Sequence, residues 1–289
     1  MNLLHSELPR RSLIAMLPAL LSACSAVDLL NATVATDTYR RTDGLAYGAH
    51  PRQQLDVYRP KDAVSNAPMV VFFYGGNWSF GERGDYRFVG EALASQGIVT
   101  LVADYRLSPE FRYPAFVEDS AGATRWAFDH ASEYGANPSR IFVMGHSAGA
   151  YNAAMLALDK RWLEARGLLP SRLAGWIGLA GPYDFLPIGE PKTRVAFNWP
   201  ATPKDSQPLS HASGGSPPAL LLAPVTDKVV DPVRSTVAMA ARLKSSGVKV
   251  ESALFDNVSH VMLLASMASV LRGRAPVLEQ VSAFVKSSG

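Results

Sequence analysis

The sequence predicts an α/β fold in which a mostly parallel central sheet is flanked by helices. Two observations lead there. Short apolar runs rich in Val, Ile and Leu recur along the chain with helical stretches between them. One of these runs also ends in a serine held between two glycines, immediately before a helical stretch. Strands buried on both faces read as continuous apolar runs rather than alternating ones. Regular alternation of strand and helix is what a parallel sheet with crossover helices requires.

The elements follow in order. From about Thr38, YRRTDGLAYG and QQLDVYRP read as two strands joined by a turn, with Asp43-Gly44 as a further local reversal. MVVFFY (69–74), IVTLVADY (98–105), RIFVMGH (140–146), LAGWIGLAG (173–181), ALLLAP (219–224) and VKVESALFD (248–256) are the remaining strands. Helices are expected over roughly 85–96, 117–134, 148–159, 233–246 and 275–287. No repeat or low-complexity tract interrupts the alternation, so residues 38–289 are expected to form one domain. Residues 182–218 break the rhythm. They hold eight of the 20 prolines, which excludes a long helix or a central strand. They also carry Phe185, Phe197 and Trp199, and a long Pro-rich loop with aromatics is more often functional than idle. A lid-like segment is expected there.

Composition narrows the function classes. The chain has 289 residues, 48% hydrophobic and 18% charged, which is ordinary for a globular protein. The net charge of +3 comes without any long Lys/Arg block, so no nucleic-acid partner is expected. The N-terminus stands apart. Arg10-Arg11 precede the short apolar run SLIAMLPALLSAC, which is the pattern of an export signal over residues 1–24. Its end, Leu21-Ser22-Ala23-Cys24, resembles the bacterial lipobox, with Cys24 as the lipidated residue and 25–37 as a linker. Cys24 is the only cysteine, so no disulfide can form within the chain. The expected location is the periplasm or outer membrane, with a lipid at Cys24 as the sole membrane contact.

The chemistry centres on GHSAGA. Ser147 lies between Gly145 and Gly149, after a strand and before a helix, which is the context of a nucleophile elbow. The helix N-terminus directs unpaired N–H groups toward the serine, and the N–H of Ala148 becomes a candidate oxyanion donor. A serine nucleophile needs a base and an acid to orient it, both later in the chain for this fold order. Of the six histidines, only His211 and His260 follow Ser147. His211 falls in the Pro-rich segment, whereas His260 follows a strand end, so His260 is the expected base. Asp227 and Asp231 both follow the strand ALLLAP. Asp227 is nearer the sheet, while Asp231 stands before Pro232, where a helix cap is the simpler role. Asp256 shares the histidine's own loop and is the weaker candidate. The second oxyanion element is expected after MVVFFY, at Gly76 and Asn77 of YGGNW.

Taken together, YGGNW, DYRLSPEFRYPA, GHSAGA, TDKVVDP and SH resemble the carboxylesterases of the α/β-hydrolase superfamily. The similarity is to the hormone-sensitive-lipase-like and feruloyl-esterase-like branch, which includes kynurenine formamidase. It covers about residues 38–288, with the five motifs in the family's order. The resemblance implies an α/β-hydrolase fold with a short Pro-rich lid and a Ser147–Asp227–His260 triad. It further implies acyl-enzyme hydrolysis of small or medium acyl or aryl esters, with no cofactor and no metal. Trp78, Phe197 and Trp199 become candidate substrate-binding residues. Formamide hydrolysis and an inactive, binding-only lipoprotein are the alternatives. The chain departs from the family at Tyr74, where a histidine usually braces the oxyanion loop; either the tyrosine hydroxyl takes over that role or the loop sits differently, and activity is expected to be retained with altered efficiency.

Overall fold

The structure, a computed structural model, describes residues 26–288. The export signal and Cys24 lie outside the described residues. The strands are β1 (Tyr39–Ala46), β2 (Gln54–Pro60), β3 (Ala67–Phe73), β4 (Val99–Ala103), β5 (Ala136–His146), β6 (Gly175–Leu179), β7 (Ala219–Pro224) and β8 (Val250–Phe255). They form an eight-stranded sheet in the order β1-β2-β4-β3-β5-β6-β7-β8. β1 and β2 pair antiparallel, as do β2 and β4, and the other pairings are parallel. Every residue of β3, β4, β6 and β7 is buried, as their unbroken apolar runs demand. β1, with Arg40, Arg41 and Asp43 exposed, and β8, with Glu251 exposed, take the two edges.

The helices are α1 (Ala26–Ala32), α2 (Arg87–Ala94), α3 (Ala115–His130), α4 (Ala148–Leu158), α5 (Lys160–Glu164), α6 (Pro191–Ala196), α7 (Ala238–Ser245), α8 (His260–Ala265) and α9 (Val277–Ser287). The stretch expected as a plain linker is therefore partly helical. The Asn31 side chain docks α1 by donating to the carbonyls of Gly84 (2.9 Å) and Asp85 (3.1 Å). Asp43-Gly44 is a bulge inside β1 rather than a reversal: the register shifts between Thr42 and Leu45, and the Gly44 N–H donates to Asp56. The helix expected from 233 begins with a π-helical turn, Val233–Val237, before α7. The short helices α5, α6 and α8 escape sequence reading because five or six residues are too few to show a period.

The Pro-rich segment holds α6 and two 3-10 turns, Lys204–Ser206 and Pro208–His211. Pro191 opens α6, and the Glu190 carboxylate caps it by accepting from the Thr193 N–H at 2.6 Å.

Strand order positions the site. After β3 the chain crosses to β4 on one side, and after β5 it crosses to β6 on the other. A crevice opens above the C-terminal ends of β3 and β5, where ligands bind in open α/β sheets. Phe73 and Gly145 are in register across that pair, so the next residues of both strands emerge side by side.

Candidate active site

Ser147 sits at the apex between β5 and α4 with φ 54° and ψ −120°. A non-glycine residue rarely adopts this conformation, and such outliers cluster at functional sites. The Ser147 N–H donates to Leu179 at 2.9 Å, so the turn is bolted to the end of β6. The flanking glycines permit the reversal: a Cβ on Gly149 would lie 2.0 Å from the Phe73 carbonyl oxygen. All of α4 is buried, and its N-terminus opens at Ser147.

Asp227 and His260 come from the loops after β7 and β8, whose ends pair at Pro224 and Phe255. His260 Nδ1 donates to Asp227 Oδ2 at 2.7 Å. That bond leaves Nε2 of a neutral imidazole unprotonated and available as a base. The second Asp227 oxygen accepts from the N–H groups of Val229 (2.8 Å) and Val230 (3.1 Å). Burial pushes the Asp227 carboxyl up, but the His260 hydrogen bond and these N–H groups outweigh it, so its pKa lies below the usual value. Asp231 caps the π-helical turn by accepting from Val233 and Arg234. Asp256 has no part in the His260 contact.

The residue ahead of the serine was not anticipated. His146 is buried, its ring centroid lies 4.9 Å from that of His260, and its Nε2 meets the His260 carbonyl oxygen at 3.0 Å. Burial first, and the neighbouring His260 second, push His146 down to about 3. The only available signal was a histidine inside G-x-S-x-G, where the elbow itself asks for none.

The loop expected to supply oxyanion donors follows β3. Gly76, Asn77 and Trp78 all have positive φ (118°, 49° and 55°), which curls the backbone around its own N–H groups. Gly76 accepts from Ser79 and Phe80, closing the turn. Asn77 and Ala148 line the same cavity as Ser147, and Gly76 does not line it. The Tyr74 hydroxyl reaches the end of this loop through Arg52 and not directly. It donates to Asp104 Oδ1 at 2.7 Å and accepts from Arg52 Nη2 at 2.6 Å, and that same nitrogen donates to the Gly81 carbonyl. The ring is stacked between Tyr86 and Tyr105. Burial and the Asp104 carboxylate hold the Tyr74 phenol well above its ordinary value, so it stays a neutral hydroxyl.

The cavity at Ser147 has a volume of about 310 Å³. Trp78 forms one wall, with its indole N–H donating to Asn152 at 3.0 Å. The Pro-rich segment supplies Phe185, Pro187 and Ile188 as an apolar wall, and Glu190 and Thr193 at its edge. Val229, Val230 and Arg234 close the far side. Arg234 is engaged with Asp184 at 3.1 Å and with the Leu186 carbonyl. Phe197 and Trp199, expected at the substrate, are elsewhere. The chain turns back at the end of α6, where Phe197 N–H donates to Thr193 and Trp199 N–H to Arg194. That turn drives Phe197 into an aromatic cluster behind Trp78, with ring centroids 4.8 Å apart, and leaves Trp199 half-buried outside the cavity. A wider hollow of about 590 Å³, bordered by Arg272, Arg274 and Lys286, contains neither a histidine nor a strained backbone residue.

Residues 55–243 match the family described as BD-FAE. The chain belongs to the BD-FAE family. Among relatives of this BD-FAE member, a probable isoprenylcysteine alpha-carbonyl methylesterase of Oryza sativa subsp. japonica is 29% identical over 235 residues, covering 74% of the chain and 56% of the relative. Esterase LipC of Mycobacterium tuberculosis is 29% identical over 218 residues, covering 69% and 54%. The chain thus spans about half the length of the curated relatives it matches. EstE1, a thermostable carboxylesterase cloned from a metagenomic library, superposes with a TM-score of 0.70 at 24% identity, covering 91% of this chain and 93% of that one. The fold of this BD-FAE member is that of the α/β-hydrolase esterases.

Proposed function

We propose that this BD-FAE protein is a serine carboxylic-ester hydrolase. The observation that carries the proposal is the 2.7 Å Asp227–His260 bond, formed at the sheet ends where Ser147 stands strained in its elbow. His260 Nε2 takes the Ser147 proton as Oγ attacks the ester carbonyl. The N–H groups of Gly76, Asn77 and Ala148 receive the developing oxyanion. His260 then protonates the leaving alcohol, and water activated by the same ring clears the acyl-enzyme while Asp227 holds the tautomer. A cavity of about 310 Å³ with one apolar wall suits small or medium acyl or aryl groups. Lipid attachment at Cys24 after export belongs to the same proposal, and loss of acyl labelling in Cys24→Ala tests it.

The deciding experiment compares rates on p-nitrophenyl acetate and butyrate with rates on N-formylkynurenine, using Ser147→Ala as control. Fast ester cleavage abolished by the substitution is expected. A preference for the formamide, or an undiminished Ser147→Ala rate, would overturn the assignment.

A further inference from the structure

We infer that His146 is a positioning residue: wedged between the oxyanion loop and the histidine loop, it holds the main chain of His260 and thereby aims that imidazole at Ser147. The inference rests on the proposed role of His260 as the base. A carbonyl oxygen only accepts, so the 3.0 Å contact from His146 Nε2 requires a proton on Nε2. The opposite edge of the ring faces Gly75, where an added Cβ would lie 3.1 Å from His146 Nδ1. The ring therefore lies beside Gly75 of one loop and bonds the His260 carbonyl of the other. Both residues are buried, His146 at 6% and His260 at 8% exposed.

His260 needs such a brace. It follows β8, an edge strand with no partner beyond it among the described residues, by a short loop in which Asn257 has a φ of 60°. Its helix, α8, is six residues long. Asp227 orients the imidazole from the side-chain end, and Ser259 caps α8 by accepting from the Met262 N–H, but neither contact holds the His260 carbonyl. His146 does so from the residue adjoining the nucleophile. A group pushed far down by burial stays an uncharged donor across the range in which esterases work.

The test uses the full chain with His146→Leu and His146→Gln, the latter keeping an N–H donor at about the reach of Nε2. With p-nitrophenyl butyrate, His146→Leu should lose roughly 10- to 100-fold in kcat with little change in KM, since a displacement of about 1 Å suffices for that loss. His146→Gln should recover most of it, and fluorophosphonate labelling of Ser147 should slow and recover in parallel. A folded His146→Leu with the wild-type kcat, or a His146→Gln as impaired as His146→Leu, would overturn the inference. If neither variant folds, nitrogen NMR of the wild type decides: a His146 ring protonated on Nδ1 instead of Nε2 also overturns it. An active Ser147→Ala protein would instead reject the underlying assignment of the nucleophile.

Discussion

Gly145 and Gly149 face each other across the elbow so closely that a Cβ on Gly145 would lie 2.1 Å from the carbonyl carbon of Gly149. No side chain can occupy that gap, and the three nearest atoms all belong to the backbone. Alanine at Gly149 would press equally on the Phe73 carbonyl. Gly149→Ala should therefore cost at least ~1–3 kcal/mol of stability, the usual range for overpacking. It should also slow fluorophosphonate labelling of Ser147. Urea unfolding and a labelling time course check both, and wild-type values in each would remove the elbow from the explanation.

The two acidic candidates after β7 are separable by substitution. Asp227→Asn should lower kcat by about 10⁴, as expected when the acid no longer selects the imidazole tautomer. Asp231→Asn should leave kcat near wild type, because Asn caps a helix about as well as Asp. Steady-state kinetics of the pair give the answer directly, and equal losses would contradict the different contacts of the two carboxylates.

Acid stability should report on His146. Its pKa falls from an ordinary 6.5 to about 3 in the folded protein. Between those values the unfolded chain binds a proton that the folded one refuses, so stability declines as pH drops through that window. Above it, this group contributes no slope. In His146→Gln the decline should be shallower, which urea midpoints taken from neutral pH down to about pH 4 would reveal. Parallel curves for the two proteins would count against a buried, uncharged His146.

Removing the Tyr74 hydroxyl breaks its bonds with Arg52 and Asp104 while leaving the stacked ring in place. Tyr74→Phe should lose ~1–3 kcal/mol, the cost of leaving buried polar groups short of partners. Because Arg52 also holds Gly81, kcat should fall more than KM rises. Thermal melts combined with ester kinetics test this, and an unchanged kcat would separate the tyrosine from the oxyanion loop.

Phe185 and Phe197 should behave differently despite sharing one Pro-rich segment. Phe185→Ala widens the cavity wall and should move preference toward longer acyl chains. Phe197→Ala empties the aromatic cluster and should cost ~3–5 kcal/mol with little effect on chain-length preference. A p-nitrophenyl ester series and unfolding curves distinguish the two outcomes. A chain-length shift from Phe197→Ala alone would restore that residue to the substrate side.

Much of this architecture is local, and local features are legible from residue order. Continuous apolar runs announced the central strands because burial on both faces leaves no polar positions. The pattern Gly145-His146-Ser147-Ala148-Gly149 announced the elbow because its steric demand lies within five consecutive residues. Chain order after Ser147 left His211 and His260, the strand end before His260 decided between them, and distance from the strand end favoured Asp227. Tertiary structure alone decided the rest. Phe197 and Trp199 differ from Phe185 only by a turn that no periodicity marks, and that turn sends one ring inward and the other outside the cavity. The His146–His260 contact joins residues 114 apart in the chain, and the Tyr74–Asp104 bond joins residues 30 apart. Such neighbours are fixed by the registers of a folded sheet, and sheet register is set by packing across strands rather than by any short stretch of sequence.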